Sequence, residues 1–262
     1  MICIQALHPP PPLLVAFKHL QLPLASDSQI HKAKKRTILG YLPGTIRKTF
    51  SIPKYQIIQE KSAFVYDEAL FERQGKYYIG FFQNEKYFKD IAAEIVRDFT
   101  FAPITDTYTQ KRAERILGVK NSVFVHIRRG DYVRLGWDLS LEYYKKAAQI
   151  IADKIENPTF FIFGATDKNY LKDFDIGYPY EDMSEKEITA HNFYEDMRLM
   201  SLCKSGIVAN SSYSWWGAYL GENQARDTKE RVIVAPSPWL LNENDIICQN
   251  WLRVHLPPQK VS

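Results

Sequence analysis

A chain of 262 residues with 45% hydrophobic and 24% charged composition can bury one large core or two modest ones, which excludes a disordered protein. The net charge of +4, with both signs spread along most of the chain, excludes a nucleic-acid binder that works through a strongly basic face. Three cysteines, Cys3, Cys203 and Cys248, odd in number and far apart, exclude a disulfide framework and a metal knuckle and point to a reducing compartment.

In chain order, Met1 to Leu24 is partly apolar, but Pro9-Pro10-Pro11-Pro12 breaks any helix and no basic region precedes it. Neither a signal peptide nor a membrane span is expected, and the protein is expected in the cytoplasm. The run His31-Lys32-Ala33-Lys34-Lys35-Arg36, with Arg47 and Lys48 behind it, reads first as a solvated basic face. Its second reading is a peripheral contact with an anionic inner membrane or a lipid-linked glycan. Tyr77 to Phe82 predicts a strand and Tyr87 to Arg97 a helix, and the polar stretch Thr105 to Lys120 suggests a boundary near Gly118 to Asn121. From there the pattern is regular. Apolar runs predict strands at Val123–Val125, Phe160–Phe163, Ile207–Ala209 and Val232–Val234, separated by helical segments. One helix starts at the cap Ser140 and runs to about Ile155, with Pro158 beyond it; another covers Phe193 to Lys204 with Met197 and Met200 on one face. Continuous apolar strands alternating with helices predict an α/β fold whose parallel sheet is covered on both faces, with ligands at the carboxyl ends of the strands. Two units are expected, 1–119 and 120–262.

The sharpest feature is His126-Ile127-Arg128-Arg129-Gly130-Asp131-Tyr132, which follows the Val123–Val125 strand directly. Two arginines, a histidine and an aspartate at a strand's carboxyl end need partners, because burying them unpaired is costly. Guanidinium groups fork onto phosphate oxygens, so an anionic ligand suits them; an Arg/Asp cluster that only holds the turn is the other reading. A second constellation, Asn210-Ser211-Ser212-Tyr213-Ser214-Trp215-Trp216, again follows an apolar strand. Small polar side chains and free backbone N–H groups at a helix start can hold a diphosphate. Trp215 and Trp216 read either as a stacking wall for a ligand or as core beneath the turn. Asp167, at the end of the Phe160–Phe163 strand, can accept from ribose hydroxyls or simply cap a turn. Asp196 reads by default as a solvent-facing carboxylate. The 16 Tyr, 15 Phe and 5 Trp favour flat or ring-shaped ligands, although aromatic residues serve cores as readily.

The His126 to Tyr132 and Asn210 to Leu220 blocks resemble the H-x-R-R-G-D-Y and N-S-S/T-x-S-W-W signatures of bacterial α-1,2-fucosyltransferases, glycosyltransferase family 11. The resemblance extends to Gly80-Phe81-Phe82-Gln83-Asn84-Glu85-Lys86-Tyr87-Phe88, to Leu171 through Met183 and to Tyr194-Glu195-Asp196-Met197, over residues 20 to 255, and looks closest to enzymes of epsilon-proteobacteria. It implies a GT-B-like fold of two Rossmann-type units. Residues 120–262 would hold GDP-fucose and residues 1–119 would shape the side of a galactose-terminated glycan acceptor, with no metal or other cofactor. It also implies that Arg128 and Arg129 hold the diphosphate and act in catalysis, with Arg129 stabilising the leaving group. His126 and Asp196 would contact the nucleoside and Ser211 to Ser214 would complete the phosphate cradle, with Asn210, Asp131 and Asp167 beside the donor. The G-G-L-G-N-Q turn with which such enzymes open has no counterpart in Met1 to Leu14, so the amino-terminal unit is expected to be incomplete.

Three other readings compete. A remnant could bind GDP-sugar without transferring it. Asp173-Phe174-Asp175 matches the D-x-D pattern of metal-dependent glycosyltransferases, but it also reads as an ordinary helix exit. Arg129-Gly130-Asp131 matches an adhesive tripeptide, which needs a projecting, secreted loop rather than the end of a buried strand. No spacing singles out the facing carboxylate pair of a glycoside hydrolase. The sequence names no general base; Asp131 is a candidate, beside two arginines that would lower its basicity.

Overall fold

The computed structural model describes residues 16–20, 25–35, 41–49, 57–72, 77–165, 167–189, 192–224, 231–240 and 243–257. The readings made for Met1 to Leu14, including the proline run and the missing glycine-rich turn, lie outside these residues, as do Cys3 and Arg36.

The strands are β1 (Ile57–Gln59), β2 (Tyr77–Ile79), β3 (Ser122–His126), β4 (Thr159–Phe163), β5 (Tyr180–Asp182), β6 (Ser205–Ile207), β7 (Ile233–Ser237) and β8 (Leu252–His255). The helices are α1 (Asp27–Lys34), α2 (Gly44–Thr49), α3 (Ala92–Asp98), α4 (Thr107–Leu117), α5 (Asp131–Leu135), α6 (Leu141–Lys154), α7 (Lys168–Lys172), α8 (Glu195–Leu202) and α9 (Ser212–Gln224). Strands β1 and β2 form a two-stranded parallel sheet, and the other six form a second sheet in the order β5-β4-β3-β6-β7-β8. Every pairing in the larger sheet is parallel. The chain builds outward from β3 to β5, then returns to lay β6 on the other side of β3. The crevice between the carboxyl ends of β3 and β6 is therefore the topological switch point, where open α/β sheets hold their ligands.

Strand side chains alternate between faces. Val123 and Val125 pack with Tyr143, Tyr144, Ala147, Ala148 and Ile151 of α6 on one side. Phe124, Phe161 and Phe163 pack with residues of α4, α8 and α9 on the other. The five residues of β3 are all buried, so its apolar run has no polar face. Each such fully buried side chain contributes about 1.5–3 kcal/mol. Gly206 allows Phe124 to cross β6, since a Cβ there would lie 2.0 Å from its ring. That is why β6 covers Ser205–Ile207, two residues earlier than the apolar run at Ile207–Ala209 suggests: the register needs a glycine opposite Phe124.

Two other expectations are corrected, and one helix lies where no element was expected. The strand expected over Tyr77–Phe82 ends at Ile79, because the backbone N–H groups of Phe81 and Phe82 turn inward onto the Glu60 carboxylate at 2.7 and 3.1 Å. The helix expected from Tyr87 starts only at Ala92. Two short 3-10 turns precede it, broken at Phe88, whose ring stacks 5.7 Å from Trp216. The polar stretch Thr105 to Lys120 contains helix α4, capped by Asp106, whose carboxylate accepts from Thr109 N at 2.7 Å. The α6 helix begins after Ser140 as expected, but that side chain makes no capping hydrogen bond.

Candidate active site

The polypeptide leaves β3 at His126, and α6 holds the exits of both switch-point strands. Tyr144 Oη donates to the His126 carbonyl at 3.2 Å and Tyr143 Oη to the Val208 carbonyl at 2.5 Å, so two buried tyrosines spend their polar ends on positioning. Gly130 turns with φ 56° into α5. The Arg128 guanidinium bonds Asp131 at 2.7 Å and lies 4.9 Å from the Tyr132 ring centre, with its side chain 43% exposed. Arg129 is more enclosed, 20% exposed, stacked 3.9 Å over Tyr170, paired with Asp138 at 3.0 Å and 3.6 Å from Asp167. Stacking and pairing fix the plane of that fork. Asp131 spends one carboxylate oxygen on Arg128.

His126 is 3% exposed. Burial, with the Arg128 charge as a smaller cause, pushes its imidazole down to about 3, so the ring is neutral at any physiological pH. Gly164 makes room for it: a Cβ there would sit 2.9 Å from the His126 ring and 2.7 Å from the Ile127 carbonyl, and the backbone has φ 75°. The ring lies 5.7 Å from that of Tyr213.

The exit of β6 supplies the other wall. Ser211 is buried and its carbonyl accepts the first i→i−4 bond of α9, from Trp215 N at 3.1 Å. The N–H groups ahead of it stand at the helix start, where a macrodipole favours an anion. Asn210 donates from Nδ2 to the Trp137 carbonyl at 2.8 Å, and Tyr132 Oη donates to the Asn210 carbonyl at 3.3 Å, which ties the two signature segments together. Ser214 is fully buried and donates back to Ala209 and Ser211, so its hydroxyl braces the turn. Tyr213 Oη donates to the Phe193 carbonyl and accepts from Met197 N. Ser212 is exposed at the helix start.

Four buried polar atoms at these exits lack a hydrogen-bond partner among the described residues: His126 Nδ1, Arg128 Nε, Arg129 Nε and Asn210 Oδ1. Unsatisfied buried groups cost about 1–3 kcal/mol each, so a polar ligand at these strand exits could complete the bonding.

Asp167 caps α7, accepting from Asn169 N and Tyr170 N at 3.1 Å, while its carboxylate also faces Arg129. Asp196 corrects the solvent-facing expectation. It is 6% exposed and accepts from Arg112 at 3.0 Å, from Glu185 N at 3.1 and 3.2 Å and from Gly164 N at 3.4 Å. Burial raises its carboxyl above the ordinary range, against the lowering effect of those donors. Arg112, which the sequence reading passed over, is the centre of this network: it also bonds the Met183 carbonyl at 2.8 Å and Glu185 at 2.7 Å. One guanidinium thereby joins α4, α8 and the segment that follows β5, and Asp196 extends the network to Gly164 after β4. Its signal was the stripe Thr109, Arg112, Ala113, Ile116, spaced as one helical face.

Trp215 is core. It is 4% exposed, stacked 4.9 Å from Tyr219, and donates from Nε1 to the Ile246 carbonyl, with its remaining surface on the hollow lined by Phe81 and Phe88. Trp216 is half-buried between Phe88 and Phe99. Asp173 and Asp175 flank the buried Phe174 at the exit of α7, and Asp175 accepts from Gly177 N at 2.8 Å, an ordinary turn. Among the described residues no group of three or more His, Cys, Asp or Glu is placed to hold a metal ion. No helix among them is long and apolar enough to cross a membrane.

A family model described as "Glycosyl transferase family 11" matches residues 26–254. The chain is similar to the "Alpha-1,2-colitosyltransferase" of Escherichia coli, 33% identical over 187 residues that cover 68% of this chain and 62% of that protein. It is also similar to the "O-antigen biosynthesis glycosyltransferase WbnK" of Escherichia coli, 32% identical over 144 residues that cover 51% of this chain and 45% of that protein. The aligned stretches thus span less than two thirds of either relative.

Proposed function

The chain belongs to glycosyl transferase family 11, and on that premise we propose that it transfers L-fucose from GDP-fucose to the 2-hydroxyl of a terminal galactose, with inversion, in synthesis of a surface glycan such as an O-antigen. The observation that supports this reading is the set of buried polar atoms, His126 Nδ1, Arg128 Nε, Arg129 Nε and Asn210 Oδ1, that make no hydrogen bond among the described residues at the exits of β3 and β6. They stand beside two arginines and a helix start, which suits a nucleoside diphosphate.

In this reading Arg128, Arg129 and the first N–H groups of α9 face the pyrophosphate. The acceptor hydroxyl attacks the anomeric carbon from the side opposite the pyrophosphate, and its O–H bond breaks as the new C–O bond forms, the proton passing to solvent. The electron pair of the breaking C–O bond passes to the β-phosphate, where fixed guanidinium charge stabilises it as it develops. Neutral His126 offers a hydrogen bond to the donor without adding charge. Asp196 acts on the nucleoside side through the Gly164 turn that it holds. The six-stranded sheet serves as the donor unit and residues before it as the acceptor-side unit of a GT-B arrangement. The exposed His31, Lys32, Lys34 and Lys35 of the α1 region would suit peripheral contact with an anionic membrane surface.

A second reading, favoured by the name of the colitosyl-transferring relative, keeps the α-1,2 linkage and replaces fucose by colitose. Release of GDP by purified protein, from GDP-fucose and GDP-colitose in parallel, tests both. Lactose-dependent release that survives EDTA and is lost in Arg129→Ala is the expected result, and the faster donor names the sugar. Absence of GDP binding would overturn the donor-site assignment.

A further inference from the structure

The segment Gly80 to Phe88 is as distinctive as the two donor-side motifs, yet nothing in the donor site uses it. Its backbone is shaped with unusual care. Phe82, a residue with a Cβ, is held at φ 50°, a left-handed conformation that bulky side chains rarely adopt. The force that holds it is Glu60, 8% exposed, whose Oε2 accepts from both Phe81 N and Phe82 N. Glu60 Oε1 accepts in turn from Tyr87 Oη at 3.4 Å. Beyond the turn Asn84, 2% exposed, donates to the Asp245 carbonyl at 2.6 Å, and Lys86 pairs with the Asp245 carboxylate at 2.5 Å. The turn is thus bonded to the unit that carries the donor motifs.

The product of this bracing is an aromatic ring in water. Phe81 is 75% exposed and makes no ring contact with the described aromatic residues, although a buried Phe is worth far more to stability than an exposed one. It stands at the rim of a hollow of about 70 Å³ whose lining includes Phe81, Gln83, Phe88, Ser212, Trp215 and Trp216. The hollow is too small for a hexose. It suits one edge of a sugar, with the ring lying across the mouth against Phe81. Ser212 belongs both to this lining and to the start of α9, so the hollow adjoins the place where the proposed pyrophosphate would sit. A galactose whose 2-hydroxyl is to attack the anomeric carbon must lie next to that helix start, on the side away from the nucleoside.

We propose that the Glu60-braced turn is the acceptor platform, with Phe81 stacking on the apolar face of a terminal β-galactoside while Gln83 and Ser212 bond its hydroxyls. The choice of sugar rests on the functional reading above; the existence of a carbohydrate platform rests on the turn and the hollow. Aromatic stacking of this kind changes affinity roughly three- to tenfold.

The test is saturation-transfer NMR with methyl β-D-galactoside on wild type, Phe81→Ala and Phe81→Trp, each with and without GDP, with GDP affinity measured separately by calorimetry. Wild type should transfer saturation to the galactose ring protons. Phe81→Ala should weaken galactoside affinity three- to tenfold at unchanged GDP affinity and unchanged melting temperature, and Phe81→Trp should restore it. Equal galactoside affinity in wild type and Phe81→Ala, or no transfer to wild type holding GDP, would overturn the platform and leave the donor site standing. Phe81-dependent galactoside binding by a protein that does not bind GDP would support the platform and remove the donor reading.

Discussion

Replacing Arg112 by Met removes a guanidinium that is only 6% exposed in its side chain and leaves its two carboxylate partners, Asp196 and Glu185, each 9% exposed, without their cation. Breaking a buried pair from one side costs about 3–5 kcal/mol, because the remaining charge keeps its desolvation cost and loses its attraction. The backbone N–H groups of Glu185 and Gly164 still serve Asp196, which places the expected loss near the lower end at pH 8. The sign of the pH dependence follows from Asp196. Its carboxyl is already raised by burial, and Arg112 is one of the groups holding it down, so the variant raises it further. A carboxyl with a raised folded-state pKa keeps a proton that the unfolded chain releases. The penalty is therefore full above the folded pKa and shrinks as pH falls toward the unfolded value of about 3.9. Urea unfolding at pH 5, 6.5 and 8 measures this, with a midpoint lowered by about 1–2 M at pH 8 and by less at pH 5. The double variant Arg112→Met with Asp196→Asn should recover part of the loss by removing the stranded charge. A loss below about 1 kcal/mol at pH 8, or an equal loss at pH 5 and 8, would refute the network's role.

Arg129→Ala should lower kcat about 10²- to 10³-fold, and Arg129→Lys should recover only part, since an ammonium cannot reproduce a stacked fork; full turnover in the Lys variant would remove the bidentate role. His126, held neutral down to about pH 3, makes the unfolded chain the better proton binder below its own pKa near 6.5. Its contribution to stability should fall by about 1.4 kcal/mol per pH unit from pH 6.5 downward, and His126→Gln should remove that slope from acid unfolding curves; superimposable slopes would contradict the buried neutral ring. Gly164→Ala should cost about 2–4 kcal/mol, combining the left-handed backbone with a Cβ driven into His126 and Ile127. A melting temperature within a degree of wild type would show that β4 can relax away from β3.

Much of the sheet was legible because parallel strands covered on both faces must be apolar throughout, and Val123–Val125 and Phe160–Phe163 say so in one dimension. Strands β5 and β8 were not, since Tyr180-Glu181-Asp182 and Leu252-Arg253-Val254-His255 lie at the sheet's edges, where one side is open and polar residues are allowed. The two arginine- and serine-bearing segments stand out in the sequence because each pairs a strand end with side chains that cannot be buried alone, and the fold sets them side by side at the exits of β3 and β6. The position of Trp215 was not legible, because an indole serves a core and a ligand equally well until its neighbours are known.

By itself the sequence determined the α/β class, the strands that flank the switch point and the residue types gathered at their ends, because these depend on local periodicity and on turn chemistry. Only the tertiary structure decided which charges are buried. Arg112 and Asp196 are 84 positions apart, and each alone reads as a surface charge on its own helix. Both are accommodated inside the protein because the fold closes one upon the other, and no local pattern can announce a partner supplied by distant chain.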